Sequence, residues 1–473
     1  MLIERDLAIE EEAARQEPTG RLRRELSSFA VLLLTLSSLS PVVSVFGVGA
    51  DVLHQAGAAT AGLFGLALVA ALVWAMVYAE LGSAYPYAGG DYVGVGRVLG
   101  AWAGVVTLVL WAVTAGPSVA FGAETLTTYV RQLAPQLPDQ AVTFGGLAGA
   151  VGVALLSVRR GAWVTGLFLA VESIAVVVLI VVGAGRPARG LDALIFHPLV
   201  VGAGGALVPL SLGVAALAAL SAVYATVGGN QAICFGEELK DPHRRMGRVV
   251  VMACLGGALA TALPVIFVVL NAPDLGALLR SPAPFAQFVS AALGPWAGPA
   301  LSGAVALAIF NANIVGVMGA ARLFFSMARD GLFPAPVNRV LSGVDTRSGT
   351  PRAATLAVGA FVAACCFVNS HVLLVFLTGL LVYGWSLVCL AVLIGRLKGL
   401  TGGPGYWRAP LYPLAPVAGL AMAVVFTISD LADKDAGRPS LLLLGLVVLA
   451  ALGWSQFGLR RRGWTPQLGE TET

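Results

Sequence analysis

Apolar and polar positions come in long blocks along this chain and do not alternate. Runs of about 20 apolar residues, enough to cross a bilayer as a helix, are separated by short polar stretches. Twelve runs are predicted, at about 27–52, 59–82, 97–128, 140–158, 163–185, 207–236, 246–270, 296–328, 353–368, 371–395, 409–430 and 439–459. Lys and Arg test the count. With the N-terminus placed in the cytoplasm, the connecting segments fall alternately inside and outside. All but six of the 29 Lys and Arg then lie inside; the six are Arg131, Arg186, Arg189, Arg280, Lys434 and Arg438. This bias follows the positive-inside rule and supports both the even parity and two cytoplasmic termini.

Two runs are interrupted. Residues 198–236 carry no Asp, Glu, Lys or Arg, well beyond one plain span, and the pair Gly228-Gly229 lies within them. The first run contains LSSLSPVVSVFGVGAD, with Pro41 and then Gly47 and Gly49. Proline removes a backbone donor, and glycine lowers the cost of an unwound backbone. The runs are the first and the sixth. Breaks in corresponding helices of two halves mark a transport site at the bilayer midplane. The plainer reading is that Gly and Pro here only let helices pack closely. Unwound backbone in a membrane must line a cavity or meet a partner. The resumed helix presents free N–H donors and partial positive charge. A substrate carboxylate suits those donors, and nearby carbonyls suit an ammonium.

Composition narrows the class. The chain is 58% hydrophobic and 11% charged, with mean hydropathy +0.86; soluble domains carry about 25% charged residues. Residues 1–25 mix both signs of charge and read as a disordered cytoplasmic tail, not a secretory signal; 460–473 read as a second tail. The cysteines, Cys234, Cys254, Cys365, Cys366 and Cys389, lie in apolar segments without CxxC spacing. His54, His197, His243 and His371 are scattered. Phosphate loops and nucleophile elbows are missing. The expectation is a protein that is not an enzyme and uses no cofactor and no metal. Its partners are the lipid bilayer and a small molecule, not nucleic acid.

Glu172 stands in GLFLAVESIAVVVLIVVG, midway along the fifth run. An ionisable group at that depth is a functional hypothesis by default. Desolvation penalises its charged form, which suits a residue that takes up and releases a proton. A glutamate held neutral by hydrogen bonds, or one reaching to water, is the structural alternative. At the end of the sixth run, Glu237, Glu238, Lys240 and Asp241 form a charge cluster. It either fixes topology or forms a cytoplasmic gate in which Glu237 and Glu238 exchange partners with Arg97 and Arg329. The predicted substrate pocket takes Ser40, Pro41, Val43 and Ser44 from the first break. From the second it takes Tyr224, Thr226, Val227, Gly228, Gly229 and Asn230. Gly229 is expected to leave room for a large neutral side chain. Asn311 and Asn313 read as interhelical hydrogen-bonding groups, Asp51 and Glu124, near outer helix ends, as interfacial or vestibule groups, and Glu80 lies at the inner end of the second run.

Three motifs carry a resemblance. YAELGSAYPYAGGDYVGVGRVLG (78–100), CFGEELKDPHRRMGRVV (234–250) and ARLFFSMARDGLFPAPVNRV (321–340) occur in order on the predicted cytoplasmic side. They resemble the segments after helices 2, 6 and 8 of amino acid–polyamine–organocation (APC) transporters. The resemblance covers roughly residues 25–460. It implies an all-α polytopic membrane protein of the leucine-transporter fold, with 12 transmembrane helices. One five-helix repeat would occupy 26–185, its inverted copy 206–396, and two peripheral helices 409–459. It implies transport of amino acids by alternating access in the plasma membrane, and Glu172 adds the expectation of a proton-coupled symport. A polyamine or organocation carrier, an uncoupled exchanger and a transporter-like nutrient sensor are the alternatives. Two features depart from the family: the first break is Pro-led, and Gly229 stands where an aromatic commonly follows the glycine.

Overall fold

The computed structural model describes residues 26–462 except 88, 157, 186–198, 202–206 and 346–349. The predicted tails (1–25 and, beyond 462, the second) and Arg186, Arg189, His197 and Arg347 lie outside the described residues. Helix occupies every predicted run. The first opens with α1 (Ser28–Ser38), breaks, and resumes as a π-helical segment Val43–Gly49 leading into α2 (Ala50–Ala56). Then come α3 (Thr60–Ala84), α4 (Asp91–Leu99), α5 (Ala101–Leu133), α6 (Asp139–Ala154) and α7 (Val158–Gly183). Two short antiparallel strands, β1 (Leu199–Val201) and β2 (Leu207–Pro209), precede α8 (Leu212–Ala225), which gives way to a 3-10 segment Gly229–Phe235.

The remaining helices are α9 (Pro242–Asn271), α10 (Leu275–Arg280), α11 (Pro284–Leu293), α12 (Ala297–Arg329), α13 (Ala335–Leu341) and α14 (Arg352–Cys365). The last three are α15 (Ser370–Leu397), α16 (Leu414–Ala432) and α17 (Gly437–Gly453). Among the described residues, eight helical segments are long and apolar enough to cross a membrane, and Val171–Gly183, Pro284–Leu293 and Arg352–Cys365 are shorter apolar helices. The body is an all-α polytopic membrane protein.

Packing pairs distant helices. The most extensive contact joins α3 to α9; α5 packs on α12 and α6 on α14. The interrupted helices cross: α1 lies against the 3-10 segment Gly229–Phe235, while the π segment and α2 lie against α8. One end of this crossing is tied by backbone, with Leu26 N–H donating to Glu238 O (2.9 Å) and Lys240 N–H to Leu26 O (3.1 Å). Small residues permit the close approaches. At Gly104 an added Cβ would lie 3.1 Å from Gly96 Cα, so α4 and α5 touch backbone to backbone. The core between helices is filled by large side chains such as Trp74, Trp385, Tyr129 and Phe46.

The last turn of α3 anchors the segment that joins α15 to α16. Glu80 is fully buried and accepts two hydrogen bonds from Arg396, at 2.9 and 2.7 Å. It also accepts from the Thr401 hydroxyl (3.1 Å) and the Ala409 N–H (2.8 Å). Arg396 in turn covers the Tyr412 ring at 4.2 Å. A bidentate pair with every oxygen satisfied is the form in which a buried carboxylate is tolerated. Glu80→Ala leaves the Arg396 guanidinium uncompensated and is expected to cost about 3–5 kcal/mol. Thermal unfolding of the purified protein in detergent reads this as a lowered midpoint; an unchanged midpoint would show that the pair holds nothing.

Candidate functional site

The first break begins with backbone chemistry. Pro41 disfavours helical conformation at the residue before it, and Leu39 is already extended (φ −77°, ψ 130°). Ser40 is left outside the helix. Pro41 has no N–H, so Val42 carries the first backbone donor of the resumed helix. That donor is met by a side chain from α7. Glu172 Oε1 accepts from Val42 N–H at 3.2 Å and from the Ser40 hydroxyl at 2.9 Å. Glu172 is 4% exposed. The structure thus brings three sequence-derived features, Ser40, Pro41 and Glu172, to one point.

Beyond the break the chain winds more widely, as the π segment Val43–Gly49. Such turns recur at functional sites because they leave carbonyls without their usual donors. Tyr129 on α5 donates its hydroxyl to Phe46 O at 3.2 Å. Gly47 lies so close to Phe121 and Thr125 that an added Cβ would sit 2.9 Å from each. Val43 and Ser44 are half-buried on the same segment.

The second break turns at Gly228, whose φ of 140° favours glycine. Leu39 of the first break packs directly on it, so the two interruptions touch. Tyr224 and Val227 are half-buried, and the buried Thr226 donates its hydroxyl to Val223 O (2.9 Å). Asn230 is 2% exposed and its Oδ1 has no partner. Gly229 differs from expectation. A Cβ there would collide with the backbone of Ala253 and Cys254 in α9. Its missing side chain admits a neighbouring helix and leaves no room for substrate, because the glycine faces the α9 wall.

The predicted gate residues gather less tightly. Arg97 lies over the Tyr87 ring, 5.9 Å from its centre. Arg329 pairs with its neighbour Asp330 at 3.3 Å. Tyr92 on α4 has Asp330, Cys234 and Glu237 within electrostatic reach, and the backbone of Gly236 lies against Pro86. The motif after α3 therefore packs against the motif after α8. Glu238 contributes its carbonyl to the backbone tie with Leu26.

At the opposite end of the crossing lies a cavity of about 410 Å³, lined among others by Phe46, Gly47, Asp51, Phe121, Glu124 and Thr125. None of the residues predicted for the pocket lines it. On its rim Asp51 meets His371 at 3.3 Å, and Gln55 bonds to both. Sequence reasoning missed this cluster because its members lie in two runs far apart in the chain.

A family model described as amino acid permease matches residues 26–451. The chain belongs to this family, within the APC superfamily. It is 29% identical over 334 residues to the large neutral amino acids transporter small subunit 2 of Homo sapiens, and equally to that of Rattus norvegicus. Each match covers 67% of this chain and 60% of the relative's length, so the chain spans less than two thirds of these relatives. The family and the named relatives are transporters.

Gly229→Ala forces a methyl group into the α9 backbone. Overpacking of this kind is expected to cost about 1–3 kcal/mol. Gly65→Ala, with nothing within 4 Å of the added carbon, is the control. Equal thermal midpoints for the two variants would contradict the close approach at Gly229.

Proposed function

We propose that the chain is a secondary active permease carrying large neutral amino acids through the plasma membrane by alternating access, with proton coupling at Glu172. The observation that carries this reading is the seat of Glu172: a nearly fully buried carboxylate bonded to the break of the first helix. Membership in the amino acid permease family supports the cargo class. The relatives, named as large neutral amino acids transporter subunits, support the preference for large neutral side chains.

The inverted-repeat reading draws support from the packing. Each of α3, α5 and α6 lies against the helix five runs later, α9, α12 and α14. The halves of the two broken helices pack crosswise. Twelve spans in a five-plus-five arrangement, with α16 and α17 peripheral, account for both features. Both termini lie in the cytoplasm in this reading, following the Lys and Arg distribution. The backbone tie between Leu26 and Glu238–Lys240 then marks the cytoplasmic side. Arg97, Glu237, Glu238 and Arg329 form the gate there, and the cavity beside Phe46 is the outer vestibule. Ser40, Pro41, Val43 and Ser44, with Tyr224, Thr226, Val227, Gly228 and Asn230, surround the substrate; Gly229 serves by letting α9 approach.

The test is uptake by purified protein in proteoliposomes of labelled leucine, phenylalanine, glycine and putrescine, with and without an inward proton gradient. Leucine and phenylalanine are expected to accumulate with the gradient. Glu172→Gln is expected to lose gradient-driven accumulation while retaining exchange. Uptake favouring glycine or putrescine would overturn the cargo. Equal gradient-driven uptake by the variant would overturn the role of Glu172.

A further inference from the structure

The donors at the first break are the natural seat of a substrate carboxylate, since they are free N–H and O–H groups at the start of a helix. In this structure they are already taken. Both the Ser40 hydroxyl and the Val42 N–H donate to a single oxygen of Glu172. The resumed helix is long enough to matter, running through Val43–Gly49 into Ala50–Ala56. The second break touches the first where Leu39 packs on Gly228, and two residues further on Asn230 keeps an unpartnered, deeply buried Oδ1. An ammonium would satisfy that acceptor. A zwitterion seated at the first break therefore finds the donors for its carboxylate occupied.

We infer that Glu172 and the substrate carboxylate compete for the same donors, so that seating an amino acid drives one proton onto Glu172. This rests on the amino acid reading above. Two carboxylates at hydrogen-bond distance from one set of donors repel strongly away from water, and one must be neutralised. A proton from water joins the Glu172 carboxylate, forming an O–H bond; nothing in the amino acid is made or broken. The neutral acid has lost its claim on Val42 N–H and gains a donor of its own, which the incoming carboxylate can accept.

The surroundings leave Glu172 as the group that responds. Among the described residues, no charged side chain bears on its carboxyl; its polar contacts are Ser40 and Val42. The elements packed on α7 are α9, α12, α11 and α6. The titratable or cationic residues on α9 are His243, Arg244, Arg245 and Arg248 in its first turns and Cys254; α12 has Arg322 and Arg329 near its end. On α6 there is Asp139, in the first turn, and α11 has none. On the break's own helices stand Asp51 and His54, beyond the π segment, and Cys234, in the 3-10 segment.

Calorimetric titration of the full-length protein in detergent tests the competition, using L-leucine and leucinol, its amino alcohol without the carboxylate. Leucine is run in buffers of different ionisation enthalpy, which counts protons. Leucine is expected to take up one proton on binding, and its affinity to weaken about tenfold per unit rise in pH above the Glu172 titration. Leucinol is expected to bind without a linked proton, or not at all. Glu172→Gln is expected to bind leucine with a flat pH profile and no uptake. Wild-type binding of leucine without a proton would overturn the proposal, and the wild-type measurement needs no variant to fold. Uptake persisting in Glu172→Gln, or the same uptake with leucinol, would overturn it as well. If leucine does not bind and uptake assays select another amino acid, that amino acid and its amino alcohol take the same test. Failure of every amino acid to bind would instead sink the cargo reading.

Discussion

A backbone N–H inside a membrane needs an acceptor, and no water is there to provide one. Pro41 creates that need by interrupting the first helix and leaving Val42 as the first donor of its second half. Glu172 answers it from α7. Much of the site depends on this exchange. The break can stay open because a side chain from another helix holds it, and the buried carboxylate is tolerated because two donors hold it in turn. Each group removes the other's desolvation penalty.

The same rule shapes the rest of the molecule. Glu80 is buried with Arg396, the Thr401 hydroxyl and the Ala409 N–H around it, so the segment before α16 is fastened to α3. Threonines inside the helices return their hydroxyls to carbonyls of the preceding turn, as Thr107 does to Ala103 O and Thr378 to Leu374 O. Among the described residues other buried polar groups stand without a partner, both carboxylate oxygens of Asp430 among them. Asn230 Oδ1 in the second break is an acceptor without a donor, and Asn313 on α12 presses its Oδ1 on Gly122 of α5 while its Nδ2 is unpartnered.

Helices were readable from the sequence because their signal is additive: a run of apolar residues announces itself whatever it packs against. Glu172 was readable for the opposite reason, as one acid in a run that otherwise has none. That it meets Ser40 and Val42 is not legible in the chain, since the contact spans 130 residues and more. Gly229 was misjudged because a glycine in a sequence does not say which wall it faces; here it faces the backbone of α9. Glu80 can be placed at the inner end of its run from the sequence, but its pairing cannot, because its partner lies 316 residues away. The π segment at Val43–Gly49 has no local signature beyond Gly47 and Gly49, and it takes shape only where Phe121, Thr125 and Tyr129 close on it.

The central claim is that the Glu172 carboxylate sits on the first helix break and yields to a substrate. Infrared difference spectroscopy, with and without leucine at neutral pH, sees this directly, because a carboxylate and a carboxylic acid absorb in separate regions. The account predicts that leucine raises a protonated-carboxyl band and depletes a carboxylate band, and that both changes vanish in Glu172→Gln. A difference spectrum without those bands, or one that the variant reproduces, would contradict it.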